Sequence, residues 1–283
     1  MIDDMTDVSI IIVNYNTKDL TRSCIDSIVR YTTGLSYEII LVDNASTDGS
    51  REAFEKDARI TYLYQEENIG FGRANNIGFE RSSGRNVFFL NSDTYLLCNA
   101  VKVLSDYLDS SPDCGACGGN LFKPDGAEEY SYMMARPSIR AELNMLLHNI
   151  PFRIRYGADT NFNHSGKPIE VGFITGADLM VKSEVLRKCG GFNPRFFMYF
   201  EESEMQERFS RMGYRIYNVP SSNIVHLNGG SFPTEEKMRR RRAWFEESRD
   251  LYMELSGHGR LYKSFYRLLS SEKVQRFFRV SEV

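Results

Sequence analysis

The chain has 283 residues, 42% of them hydrophobic and 26% charged, with 35 Lys and Arg against 38 Asp and Glu for a formal charge of −3. That length buries a core without disulfides and holds one large α/β domain or two fused lobes, and the slightly acidic balance argues against a nucleic-acid binder. The five cysteines make no disulfide framework: Cys114 and Cys117 have C-x-x-C spacing, but no second pair completes a zinc site, and the set suits a reducing compartment.

Residues 8–13 (VSIIIV) form an apolar run of the kind buried on both faces of a sheet. Thr17 is placed to cap a helix in which Leu20, Cys24 and Ile28 recur at helical spacing. Residues 38–42 (EIILV) predict a second buried strand, which breaks into the polar run DNASTDGS from Asp43. A short strand at 60–64 precedes the turn NIGFG at 68–72, and a helix then runs to Gly84. Residues 87–90 (VFFL) are a fourth strand, ending at Asn91, Ser92, Asp93 and Thr94. Strands alternating with helices at this interval indicate βαβ units and a mainly parallel sheet. Open sheets of this class bind ligands beyond the carboxyl ends of their strands, so the polar clusters after the first, second and fourth strands are expected to meet.

Residues 99–108 fit a helix with Val101, Leu104 and Leu108 on one stripe. Residues 130–164 lack a clean period, contain the breakers Pro137 and Pro151, and suggest a lid or acceptor-side excursion. Regularity returns at 172–182 (GFITGADLMVK). A helix at 183–188, a helix at 202–212 and a strand at 214–219 follow, and then an apolar strand, SSNIVH, ends at His226. The last fifty residues are basic, with Lys237, the arginines at 239–242, and six Lys or Arg against one Glu between 260 and 280.

Asp93 stands where a carboxylate reaches a bound divalent cation, although an Asp after a strand also serves as a cap or turn former. Asp43 suits a base or ribose contact, or an Asx turn ahead of a Ser46 or Thr47 cap. The NIGFG glycines follow the third strand and lack the dinucleotide spacing, and no Walker lysine is present. Glu201, Glu202 and Glu204 crowd behind the aromatic run FFMYF, either as dipole partners opening a helix or as a general base whose pKa an apolar wall raises. His226, ahead of Gly229, Gly230 and Ser231, fits a ligand group on a closing loop or a hydrogen-bonded core histidine.

Six segments in order, VSIIIVNYN, EIILVDNASTDGS, ENIGFGRANNIGF, VFFLNSDT, GFITGADLMVKSEVLRKCGGFNPRFFMYFEESEMQERFSRMGY and IVHLNGGS, resemble the family 2 glycosyltransferases of GT-A fold. Within them the chain is similar to the rhamnosyltransferase-like members that build bacterial surface polysaccharides, over residues 8–231. The resemblance implies an α/β fold of GT-A type: a mainly parallel central sheet flanked by helices, an acceptor-side region and a helical C-terminal extension. Asn14 and Tyr15 would belong to the donor site, with Tyr15 against the nucleobase, and Asp43 would hydrogen-bond to a uracil or thymine. Asn68, Gly70 and Asn75 would line the donor pocket. Asn91, Ser92 and Asp93 stand at the family's aspartate-x-aspartate motif, so that Asp93, with His226 as a further contact, would hold Mn2+ or Mg2+. Gly176, Ala177 and Asp178 would face the junction of donor sugar and acceptor.

The family's base is the second acid of a glutamate-aspartate pair, a role that falls here to Glu202. Glutamate is one methylene longer, and a shift of about 1 Å can cost on the order of 100-fold in rate, which keeps Glu201 and Glu204 as alternatives. One base without a nucleophile pair implies single displacement with inversion, moving a sugar from a UDP- or dTDP-sugar to a hydroxyl of a glycan or lipid-linked glycan. The implied organisation is a donor half at 6–98, an acceptor and catalytic half at 99–232 and a basic extension at 233–283. A sugar nucleotidyltransferase is disfavoured because Asn14 to Lys18 lacks a glycine-rich basic loop; a nucleotide-sugar-binding module without turnover is the non-enzymatic alternative. Residues 1–7 lack the features of a signal peptide, and no stretch nears the ~20 apolar residues of a membrane span. The expected location is therefore cytoplasmic. Residues 260–280 serve either as a docked helix or as a peripheral contact with an anionic membrane surface on the cytoplasmic face of the inner membrane.

Overall fold

The computed structural model describes residues 6–157, 159–227 and 235–257, together with Gly259, Tyr262 and Ser264. In chain order it contains β1 (Val8–Asn14), α1 (Lys18–Tyr31), β2 (Tyr37–Asp43), α2 (Ser50–Phe54), β3 (Thr61–Tyr64), α3 (Phe71–Glu80), β4 (Asn86–Asn91) and β5 (Thr94–Leu96). These are followed by α4 (Ala100–Ser110), β6 (Cys114–Phe122), β7 (Glu128–Glu129), β8 (Tyr132–Met133), α5 (Ile139–Leu146) and α6 (Ile150–Tyr156). The remaining elements are β9 (Ile169–Glu170), β10 (Phe173–Ile174), β11 (Asp178–Lys182), α7 (Ser183–Cys189), α8 (Glu201–Arg211), β12 (Arg215–His226) and α9 (Glu235–Leu255).

The main sheet runs β3-β2-β1-β4-β11-β6-β12-β5, parallel from β3 through β4 and again between β6 and β12, with β11 and β5 antiparallel to their neighbours. The apolar runs of β1, β2 and β4 exist because both faces are covered. Alternate residues such as Ile10, Ile12, Leu41, Phe88 and Leu90 pack with Cys24, Ile25 and Ile28 of α1 and with Val101, Leu104 and Leu108 of α4. The intervening Ile11, Ile40, Val42 and Phe89 pack with Ala74 of α3, Val185 and Leu186 of α7, and Met205 and Phe209 of α8. α3 approaches closely enough that a Cβ on Gly78 would lie 2.5 Å from Ile11 Cγ2, so a larger residue there would push the helix off the sheet.

Three local expectations are corrected. The strands expected at 214–219 and in SSNIVH are one strand, β12, which passes through Pro220 with a register shift against β6 between Asn218 and Asn223. A proline, lacking an N–H, is accommodated at such an irregularity. Thr17 occupies the cap position of α1 without capping it; its hydroxyl bonds Asn14 Oδ1, and the Lys18 N–H donates instead to Asp48 Oδ2 at 2.9 Å. The irregular stretch 130–164 carries β8, α5 and α6. Of the basic segment at 260–280, all but Tyr262 and Ser264 lie outside the described residues. No described helix is long and apolar enough to cross a membrane.

Candidate active site

The register of the parallel strands places Asn14 opposite Asp43 and Val13 opposite Asn91, so the carboxyl ends of β1, β2 and β4 form one edge, as their polar termini predict. Asp43 is fully buried there: its Oδ1 accepts the Ser46 N–H at 2.8 Å and its Oδ2 the Tyr62 hydroxyl at 2.6 Å. The Asx turn is therefore present, and these two hydrogen bonds leave lone-pair positions on the carboxyl group unused. Asn14 is turned inward; its Nδ2 donates to Ser46 Oγ, and its Oδ1 accepts from the hydroxyls of Thr17 and Thr21. It fixes the loop that leaves Tyr15 exposed rather than presenting its own amide.

The turn after β3 is tied to β2 through a pair of asparagines. Asn44 Nδ2 donates to Asn68 Oδ1 at 2.9 Å, and Asn44 Oδ1 accepts the Ile69 N–H at 3.0 Å. Gly70 has φ +89°, and a Cβ there would sit 2.5 Å from the Phe197 carbonyl oxygen, which accepts the Phe71 N–H at 3.0 Å. Thus the turn after β3 leans on the aromatic segment that leads into Glu201. Asn75 is buried, with its Nδ2 on the Phe71 carbonyl.

At the end of β4, Asp93 Oδ1 and His226 Nε2 lie 3.3 Å apart, and Asn91 Nδ2 is 3.4 Å from the same imidazole nitrogen. β5, absent from the sequence reading, creates this meeting by pairing Thr94 with His226. Ser92 is buried against the Thr17 hydroxyl at 3.0 Å. One carboxylate and one imidazole converging on a point suit a cation that takes its remaining ligands from diphosphate and water. No group of three or more His, Cys, Asp or Glu able to hold an ion by itself occurs among the described residues.

The Asn91 N–H donates to the Ala177 carbonyl, and a Cβ on Gly176 would lie 3.8 Å from Glu202 Cγ, so Gly176 and Ala177 link the β4 terminus to the acidic helix start. Asp178 does not join them. It is turned into the sheet, its Oδ2 accepts the Gly119 N–H at 2.6 Å, and burial pushes its pKa well above the usual carboxylate range.

The three glutamates at the start of α8 have different surroundings. Glu201 is buried with Oε2 unpartnered; desolvation, then the neighbouring Glu202, pushes its pKa well above the carboxylate range. Burial raises Glu202 as well, offset in part by hydrogen bonds from the backbone and the Ser203 hydroxyl at 3.1 Å. Glu204 is engaged by Arg208, whose Nε lies 3.0 and 3.1 Å from its two oxygens.

Sequence reasoning missed Asn44, Asp48, Tyr62 and Arg208. The first two were in view within DNASTDGS, but only the topology shows what they brace. Tyr62 looked like one more strand residue.

A GT-A α/β fold with a polar sheet edge and an acidic helix start defines the class. Mannosyltransferase PcManGT from Pyrobaculum calidifontis, in complex with GDP-Man and Mn2+, superposes with TM-score 0.57 at 17% identity over 97% of this chain and 84% of that one. GalNAc-T7 with UDP, GalNAc and Mn2+ superposes with TM-score 0.60 at 16% identity, over 89% and 50%. The family profile of glycosyl transferase family 2 matches residues 9–166, and the chain belongs to that family. It is 28% identical over 203 residues to the N-acetylglucosaminyl-diphospho-decaprenol L-rhamnosyltransferase of Mycobacterium tuberculosis, covering 66% of each chain. It is 26% identical over 231 residues to the O-antigen biosynthesis protein RfbC of Myxococcus xanthus, covering 79% of this chain and 17% of that one.

Proposed function

We propose that the chain is an inverting glycosyltransferase that moves a sugar, rhamnose being the leading candidate, from a UDP- or dTDP-sugar to a hydroxyl of a glycan or lipid-linked glycan in surface polysaccharide assembly. Residues 6–98 supply the donor half and 99–232 the acceptor half. The observation that carries the reading is the contrast among the three glutamates. Glu204 is neutralised by Arg208, and Glu201 is the more deeply buried and more strongly driven to keep its proton. Glu202 is left as the carboxylate beside Gly176, one residue before the Ala177 carbonyl that accepts the Asn91 N–H.

Desolvation favours the protonated form more strongly at Glu201 than at Glu202, which makes Glu202 the member of the pair suited to act as base. Glu202 takes the proton of the acceptor hydroxyl as its oxygen attacks the anomeric carbon, and the nucleoside diphosphate departs from the opposite face. Asp93 and His226 would hold Mg2+ or Mn2+, which when bound supplies a positive charge to the departing diphosphate. Asp43 orients the base while Tyr15 lies against it. The relative from Mycobacterium tuberculosis, named for a decaprenol-diphosphate acceptor, supports an acceptor carried on a lipid diphosphate, and hence work at the cytoplasmic face of the membrane.

The test is a panel of nucleotide-sugars scored by thermal shift with and without Mn2+ or Mg2+. A UDP- or dTDP-sugar should stabilise the protein in a cation-dependent way, and Asp93→Asn should remove that dependence while leaving the unliganded melting point in place. Unchanged cation-dependent binding in Asp93→Asn would refute the assignment of Asp93.

A further inference from the structure

The α5–α6 hairpin carries a concentration of outward apolar side chains. Leu143 is 43% exposed, Leu147 50%, Ile150 55% and Ile154 82%. Single exposed hydrophobics need no explanation, but a cluster of them on one short hairpin does. The hairpin is not loosely placed. Asn144 is buried beneath it, donating to Asn149 Oδ1 at 2.8 Å and accepting the Phe152 N–H at 3.0 Å, and Ala141 and Phe152 are buried with it. The turn's polar groups are thus held from inside while the aliphatic residues face out.

The same two helices carry exposed cations. Arg140, Arg153 and Arg155 are exposed, and none forms an ion pair with a described residue. The one acid between positions 130 and 157 is Glu142, and its carboxylate accepts the Tyr262 hydroxyl at 2.9 Å. Exposed aliphatic tips and exposed arginines on the same two helices match an anionic lipid surface, with the apolar groups at the acyl boundary and the guanidinium groups among the phosphates. The hairpin is also coupled to the catalytic end of the molecule. Ile139, at the start of α5, packs on the cluster of Phe196, Tyr252, Met253 and Tyr262, together with Phe200, the residue before Glu201.

We infer that the α5–α6 hairpin docks the protein on an anionic lipid leaflet by inserting Leu147, Ile150 and Ile154. That this docking presents Glu202 to a lipid-linked acceptor rests on the proposed function; the docking itself does not. The full-length protein is sedimented with vesicles of phosphatidylcholine alone or with phosphatidylglycerol, without nucleotide or acceptor, so that failure here is separate from failure of the nucleotide-sugar panel. Binding should require the anionic lipid and weaken with salt. The triple variant Leu147→Ser, Ile150→Ser, Ile154→Ser should lose about ten-fold or more in partitioning, and Arg153→Gln with Arg155→Gln should reduce the salt dependence. Should the triple variant fold poorly, Ile154→Trp decides: its emission should shift to the blue on anionic vesicles and be quenched by brominated lipid beyond the baseline of Trp244. Equal sedimentation of wild type and triple variant, no binding by wild type, an unshifted Ile154→Trp, or a wild-type dimer that the triple variant dissociates would each overturn the inference.

Discussion

Replacing Glu204 with glutamine separates a bracing carboxylate from a chemical one. In the wild type, Arg208 is paired with Glu204, at 25% and 11% side-chain exposure, and its guanidinium also donates to the carbonyls of Cys189, Gly190 and Gly191. Glutamine keeps the shape and removes the charge, leaving a largely buried cation facing neutral oxygens. Removing one partner of a fully buried pair costs ~3–5 kcal/mol, and an exposed pair is worth under ~1. With three carbonyls still satisfied and a quarter of the side chain in water, the expected loss for Glu204→Gln is roughly 2 kcal/mol, with transfer retained to within about ten-fold.

Glu202→Gln should do the reverse, losing ~10²–10⁴-fold in transfer. Burial raises the pKa of Glu202, so the folded chain holds this proton more tightly than the unfolded one. Its contribution to stability is complete below the unfolded carboxylate range and is lost as pH rises through the folded value. Glutamine cannot ionise, so the variant should gain on wild type as pH rises from the unfolded carboxylate range, about pH 4, through the raised folded value, as should Glu201→Gln. Urea denaturation across that interval, beside a transfer assay, gives both readouts. A Glu204→Gln protein of wild-type stability that transfers no sugar would refute the assignment of roles.

Gly70→Ala places a side chain at φ +89° and a Cβ 2.5 Å from the Phe197 oxygen. It should cost roughly 2–4 kcal/mol in urea denaturation, and an unchanged midpoint would show that this turn does not bear on the aromatic segment. Tyr62→Phe deletes the 2.6 Å bond to Asp43. It should lower stability by roughly 1–2 kcal/mol and weaken nucleoside diphosphate binding, measured by calorimetry; intact affinity would mean that Asp43 needs no such bond to act on the base.

The leading half of the sheet was legible in the sequence because β1, β2 and β4 are buried on both faces and so appear as uninterrupted apolar runs. Their polar termini pointed to the edge for the same reason: a buried strand that ends in Asp or Asn ends at water or at a ligand. What escaped was long-range. β5 is three residues long and exists because β12 lies beside it. Asp48 caps a helix thirty positions earlier in the chain, and Asn44 meets Asn68 across a strand and a helix, pairings that no local pattern encodes. Asp178 shared a motif with Gly176 and Ala177, yet the first pleat of β11 sends its side chain to Gly119.

The aromatic run before α8 has a further consequence for how the site is built. Tyr199 and Phe200 adopt φ of +74° and +66°, a conformation costing of order 1–3 kcal/mol for each non-glycine residue, which persists only where surrounding contacts over-determine it. α9 supplies those contacts. Trp244 stacks on Phe197 with centroids 4.7 Å apart, Phe245 meets Tyr199 and Phe200 at 5.7 and 5.1 Å, and the Ser248 hydroxyl donates to the Met198 carbonyl at 2.7 Å. On the opposite side the Phe197 carbonyl is held by the Phe71 N–H above Gly70. The two left-handed residues therefore lie between the turn at Gly70 and α9, and they set the direction in which α8 leaves with Glu201 and Glu202. The segment expected as an appended extension thus begins with a helix that forms part of the wall behind the acidic pair. Positioning of Glu202 follows from residues more than forty positions downstream as much as from the strand edge on which the nucleotide would sit.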